Sequence, residues 1–382
     1  MSGTYLLNDA IISPLGFGTG ANLQAIRNSE SALKFHNNSR FFKEGYYAGL
    51  IEEDLIDSGF QRLGDAFLYT KLEKMIILAV DRVIKGSDAF DPQTTGLVIS
   101  TTKGNIDLLA RNKFTPDRLY LWKMAQVIAD FFNLEKRPVV VSNACISGAL
   151  AIRTASYLIA AGRYKNVIVA AGDLASEFVL SGFNSFQAIS DEPCRPFSKD
   201  RKGVSLGEAA AAVFLDSENI GEGGDKIQYL DAVTANDANH ISGPSRTGEG
   251  LFQSISRLMK ANNVEAGNMD FLSAHGTATN YNDEMEAIAF NRGGLSQVPV
   301  NSFKGYYGHT LGSSALIETI LTKHSLLDNE LFASHNFTES GVSRDLNIIR
   351  SHTRKELNMA LKTASGFGGC NLAMLLKKER RS

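Results

Sequence analysis

Val139-Val140-Val141-Ser142-Asn143-Ala144-Cys145-Ile146-Ser147-Gly148-Ala149-Leu150 is the stretch from which the rest of the chain can be read. Three β-branched residues predict the end of a buried strand, and the small residues after them a sharp turn. Cys145 falls where a long helical pattern begins, one that Gly162 closes. A sulfur at that place faces the unsatisfied N–H groups and the positive dipole end of a helix. Both favour the thiolate, the nucleophilic form of cysteine. A lone buried cysteine is more often a small packing residue. The nucleophile reading therefore depends on what else the chain brings to it.

The chain has 382 residues, 43% of them hydrophobic and 21% charged, with a formal net charge of −2. That length can bury a large core, and the near-neutral balance excludes a global field for nucleic acid or an anionic membrane. Cys145, Cys194 and Cys370 are too few and too scattered for a disulfide framework or a thiolate metal site. There is no His-Glu-x-x-His and no close Cys/His pairing, so neither a metal nor another cofactor is expected. The first residues lack a basic and then apolar leader, and no apolar run is long enough to span a bilayer. The expectation is a soluble, cytoplasmic protein.

Outward from the elbow, apolar β-branched runs alternate with helical patterns, which predicts an α/β fold. Strands are expected at 5–12, 96–100, 167–173 and 207–215, with helices over 71–83 and about 119–132. Residues 217–226, rich in Gly, Glu and Asp, are the most linker-like stretch, and after them the pattern restarts. Val298-Pro299-Val300-Asn301-Ser302 leads through a glycine-rich turn to His309, and Gly312-Ser313-Ser314-Ala315 opens a helix. This repeats the plan of strand, turn, Cys145 and small-residue helix. It divides the chain into halves at 1–216 and 227–382, packed as one unit. Cys145 and His309 then stand at matching helix N-termini, facing one another across a pseudo-twofold axis. Two closing strands are expected at 359–364 and 372–377.

Two of the seven histidines lie at strand ends beside glycines, where a side chain can point into a cleft. His275 opens His275-Gly-Thr-x-Thr-x-x-Asn-Asp-x-x-Glu, and His309 closes Lys304-Gly-Tyr-Tyr-Gly-His. Together with the Cys145 elbow, these motifs resemble the β-ketoacyl-acyl-carrier-protein synthases, in their elongating Cys-His-His branch. Ser13-Pro14-x-Gly16, Arg195-Pro196-Phe197, Gly207-Glu208 and Gly366-Phe367-Gly368-Gly369 fit in the same order. The resemblance spans essentially the whole chain. It implies the thiolase-like fold, with two pseudo-symmetric βαβαβ-type halves in five layers.

The resemblance also implies an activity: decarboxylative condensation of an acyl group on Cys145 with a malonyl thioester, in fatty-acid or polyketide-type biosynthesis. His275 and His309 would donate hydrogen bonds to the enolate, and Lys304 would keep an imidazole neutral and oriented. Glu318 and Asp283 would hold this cluster in place. Phe367, between Gly366 and Gly368, would contribute a backbone N–H to the oxyanion and gate the acyl pocket. Thr277, Thr279 and Phe183 would line the substrate's path. The implied partners are an acyl carrier protein and a second copy of the chain, or a related subunit in a heterodimer. Carrier docking is expected at Arg111, Lys113, Arg118, Arg201 or Lys202. The alternatives are a non-catalytic, chain-length-factor-type partner subunit and a thiolase-like acyltransferase, for which Cys370 would be the second thiol.

Overall fold

The strands that frame the site fall in two runs of five. In the first run are β1 (Thr4–Ser13), β2 (Gly96–Ser100), β3 (Val139–Val141), β4 (Asn166–Asp173) and β5 (Ala209–Asp216). They lie side by side as β1-β5-β4-β2-β3. The second run is β6 (Lys226–Asn236), β7 (Phe271–Ser273), β8 (Val300–Asn301), β9 (Met359–Gly366) and β10 (Cys370–Glu379). Its order is β6-β10-β9-β7-β8, the same permutation. Directions repeat as well: the first two pairings of each half are antiparallel and the last two parallel. β1 pairs antiparallel with β6 at Thr4↔Tyr229, Tyr5↔Gln228 and Leu6↔Ile227. The halves thereby join in one 11-stranded sheet, the short strand Gly16–Phe17 lying to the side of β1. This computed structural model describes residues 3–37, 39, 45–110, 113–217, 224–237 and 243–380; most of the linker-like stretch and Arg111 lie outside them.

Helices α1 (Lys71–Lys85) and α2 (Leu121–Phe131) cover the outer face of the first half. α3 (Ser147–Ala160) follows β3, and α4 (Glu177–Ser185) follows β4. In the second half α5 (Glu249–Ala261) and α6 (Asn280–Arg292) cover the outer face, and α7 (Ser314–Asp328) follows β8. α3 and α7 share one core between the two halves of the sheet. The result is five layers: helices, sheet, the α3–α7 pair, sheet, helices.

Side-chain alternation explains why the strands read as unbroken apolar runs. On β4, Val167, Val169 and Ala171 face the α3–α7 core, while Ile168 and Ala170 face α1 and α2. A sheet covered on both faces has no polar side to show. α1 owes its position to the periodicity read from its sequence. Leu72, Met75, Ile76, Ala79, Val80 and Val83 are all buried, and Thr70 with Glu73 closes a capping box at its start. α3 and α7 approach closely because residue 148 is glycine: a Cβ there would stand 2.6 Å from the Leu316 amide nitrogen. β6, which makes the seam, and α4 were not expected from the sequence. Among the described residues no helix is long and apolar enough to cross a membrane.

Candidate active site

Cys145 sits between β3 and α3, just before Ile146, which caps the helix. The turn is tight enough to hold Ala144 at φ 43°, a left-handed conformation that costs a non-glycine residue energy. Ser147 Oγ fastens it, accepting from Asn143 N–H at 2.8 Å and donating to Ala144 O at 2.6 Å. The sulfur is buried, 7% of the residue being exposed. Burial pushes the Cys145 thiol up to about 12, with the Lys304 charge the first influence to oppose it. Burial thus works against the thiolate that the helix end favours.

His309 reaches the sulfur from the other half, Nε2 lying 3.0 Å from Sγ. Its Nδ1 accepts the Leu311 backbone N–H at 3.1 Å and lies 2.9 Å from Ser314 Oγ. A backbone amide only donates, so the neutral ring carries its proton on Nε2 and offers it to the pocket. The loop after His309 is tied to the first half by Asp173 at the end of β4. That carboxylate accepts from Gly312 N–H at 2.8 Å, Thr101 Oγ1 at 2.8 Å and Thr102 N–H at 2.9 Å.

His275 follows β7, held by Glu286, which accepts its backbone N–H at 2.8 Å and that of Gly276 at 2.6 Å. Lys304 Nζ stands 3.2 Å from His275 Nδ1, donates to His275 O at 2.5 Å and meets Glu318 Oε1 at 2.6 Å. An ammonium has no lone pair, so Nδ1 is the acceptor and the proton of this ring also lies on Nε2. Both imidazoles are pushed well below the usual histidine value, first by burial and then by the Lys304 charge. Their rings lie 5.3 Å apart at 83°. Ligand atoms of Cys145, His275 and His309 all fall within 4.8 Å of one another, close enough to hold a metal ion by distance alone. The Lys304 ammonium beside His275 opposes a second cation there.

The other expected residues divide. Glu318 pairs with Lys304 at 2.6 Å. Asp283 does not touch Lys304 or a ring; it accepts from Thr277 N–H at 2.9 Å and Phe197 N–H at 2.7 Å, anchoring the His275 loop. Thr277 and Thr279 bond to each other at 2.8 Å, and Thr279 caps α6. Gly366 approaches so near that a Cβ would lie 3.0 Å from the Cys145 amide nitrogen. Phe367 and Gly368 follow it in the turn from β9 to β10. The Phe367 ring is 5.5 Å from that of Phe183, which lies 6.2 Å from His309, so aromatic faces line the approach. Two docking candidates are corrected. Arg201 is buried, bonding Ser198 O and Gly341 O, and Arg118 is committed to the buried Glu73. Asp173, Ser314 and Lys362 have no role in the sequence reading, and Glu286 enters it only as the last residue of the His275 motif.

Two family models match this chain: Beta-ketoacyl synthase, N-terminal domain, over residues 80–219, and Beta-ketoacyl synthase, C-terminal domain, over residues 229–338. The chain belongs to the β-ketoacyl synthase family. Among its relatives in that family is 3-oxoacyl-[acyl-carrier-protein] synthase 2 of Rhizobium meliloti (strain 1021), 28% identical over 99% of each chain. The enzyme of that name from Vibrio harveyi is 31% identical over 63% of this chain and 61% of its own. The fold matches a chain of the Xenorhabdus doucetiae ketosynthase ApeO in complex with its chain length factor ApeC. That pair superposes with a TM-score of 0.85 at 21% identity, covering 98% of both chains. A β-ketoacyl synthase from Burkholderia phymatum STM815 superposes equally well, at 20% identity over 100% of each.

Proposed function

We propose that this β-ketoacyl synthase family member joins an acyl group to a malonyl thioester and releases a 3-oxoacyl thioester. The observation that carries the reading is the pair of neutral imidazoles, His275 and His309, each fixed as an Nε2–H donor around one sulfur. In the first step the Cys145 sulfur attacks an acyl thioester on a carrier protein. The carrier thiol leaves with the proton, and the acyl group stays on Cys145. A malonyl thioester then enters; its C–CO₂⁻ bond breaks, CO₂ departs and the electron pair becomes an enolate. Donors at His275 and His309 stabilise the enolate oxygen, each worth about 10²–10³ in rate. The enolate carbon attacks the Cys145 thioester, and backbone N–H groups of Cys145 and Phe367 hold the oxyanion until the sulfur leaves as a thiolate, which takes a proton from solvent before the next cycle. The acyl chain passes the rings of Phe183 and Phe367, which lie 5.5 Å apart.

The relatives' activity supports this reading, and so does retention of every reacting group, which a pocket-shaping partner subunit would not need. Cys370 stands near Cys145, the two meeting at Gly366, where a thiolase would hold its second thiol; the activity of the relatives favours the synthase instead. The implied partner is an acyl carrier protein in the cytoplasm, bearing the acyl and malonyl groups on phosphopantetheine. The reading also makes the protein a homodimer. The outer edge of β8 is covered by 347–349, Val300 N–H donating to Asn347 O, whereas no described strand pairs with the outer side of β3. Tyr120 and Trp122, at the start of α2, are exposed and stack on each other.

Mass spectrometry after incubation with a panel of acyl carrier thioesters tests the reaction. The expected result is an acyl adduct on Cys145 that malonyl carrier protein discharges as a 3-oxoacyl product. Cys145→Ala should lose condensation and keep malonyl decarboxylation. No adduct with any thioester would favour the non-catalytic subunit, and discharge without CO₂ release would favour thiolase-type chemistry.

A further inference from the structure

Lys362 lies on β9, and its side chain is fully buried. The reaction above does not use it. Its Nζ stands 2.7 Å from Glu318 Oε2, in ion-pair contact. It donates to Thr363 O and lies 3.3 Å and 3.5 Å from the carbonyl oxygens of Ser273 and Ala274. Those two residues immediately precede His275. The other oxygen of the same carboxylate, Glu318 Oε1, holds Lys304 at 2.6 Å. One buried carboxylate therefore bridges two ammonium groups, and the second of these grips the strand end that carries His275.

A buried ammonium next to another is unfavourable unless anions and carbonyl dipoles surround it. Here the surroundings are Glu318, the three carbonyls and Glu286. Glu286 accepts from Thr363 Oγ1 at 3.1 Å and from the His275 backbone N–H at 2.8 Å. Burial pulls Lys362 below the usual lysine range, with Glu318 the first group to oppose it. Without a cation here, Glu318 Oε2 and three carbonyl oxygens would face an unfilled space behind the site. Lys304 would then lose the fixed carboxylate that aims it at His275 Nδ1.

We propose that Lys362 is a positioning residue, a tethered cation that fixes Glu318 and the Ser273–Ala274 carbonyls and so keeps Lys304 against His275. Three carbonyl oxygens and a carboxylate oxygen form a shell that a free ammonium ion can fill when the side chain is removed. The activity arm of its test rests on the functional reading above; the thermal arm does not.

Lys362→Met and Lys362→Ala separate positioning from packing. In both, kcat for malonyl thioester decarboxylation should fall about 10–100-fold, the usual scale for groups that orient a reacting residue from behind. KM and the rate of Cys145 acylation should change little. For Lys362→Ala, ammonium chloride should raise Tm and restore part of the lost kcat, while tetramethylammonium chloride at equal ionic strength should do neither. Wild type should respond alike to both salts. Equal loss of acylation and decarboxylation in both variants, or the same response of Lys362→Ala to the two salts, overturns the proposal. If Lys362→Met fails to fold, the salt comparison on Lys362→Ala decides. Should wild type itself not decarboxylate malonyl thioesters, the functional reading falls, and the ammonium-specific Tm shift still tests the cation shell.

Discussion

A histidine can give a proton or take one, and at His309 a backbone amide makes the choice. Because Leu311 N–H occupies Nδ1, the ring meets the pocket as a donor, and Lys304 imposes the same state on His275. His309→Ala should therefore lower malonyl decarboxylation by about 10²–10³ and slow acylation of Cys145 far less. Single-turnover measurements of both steps check this; a larger loss in acylation would reassign the ring as a base. The two depressed imidazoles also set a pH dependence. In the unfolded chain a histidine takes up a proton below about pH 6.5, while these rings stay neutral in the fold. Their contribution to stability is present above that pH and is lost as pH falls. Urea denaturation of His309→Gln at pH 7.5 and 5.5 should show a smaller drop in stability than wild type.

The α3–α7 pair converts the repeat into a site. Each helix is preceded by one of the proposed reacting groups, and their close crossing brings Sγ to Nε2. Gly148 permits that crossing. Gly148→Ala places a Cβ 2.6 Å from Leu316 N and 3.0 Å from Gly312 O, and Gly312 is the residue tied to Asp173. Overpacking of this kind costs about 1–3 kcal/mol, and here it also pushes His309 from Cys145. Denaturant titration should show that loss, with kcat falling by more than the unfolded fraction explains. Full activity with an intact Tm would mean that the helices can part without moving the site.

Across the whole molecule the two halves repeat one topology but end differently. The second half covers its outer edge at β8, while among the described residues no strand pairs with the outer side of β3, which leaves that end of the large sheet open. Val140→Lys puts a charge on that edge strand, where Val140 is half-buried against the α1–α2 core, and an unchanged Tm separates lost pairing from lost packing. Light scattering should give a dimer for wild type and a monomer for the variant; a monomeric wild type would remove β3 as an interface. The sequence by itself singled out the repeated plan, the elbow at Cys145, and His275, His309 and Lys304 as its candidate companions. Strand runs, glycine turns and helix starts are local patterns, and local chemistry writes them. Only the tertiary structure decided that burial opposes the Cys145 thiolate, that Asp283 anchors a loop, and that Arg118 and Arg201 are committed inside. It alone brought Lys362 beneath the site. Each of these depends on which distant groups share a dry interior, where one neighbouring charge or carbonyl outweighs anything the flanking residues specify.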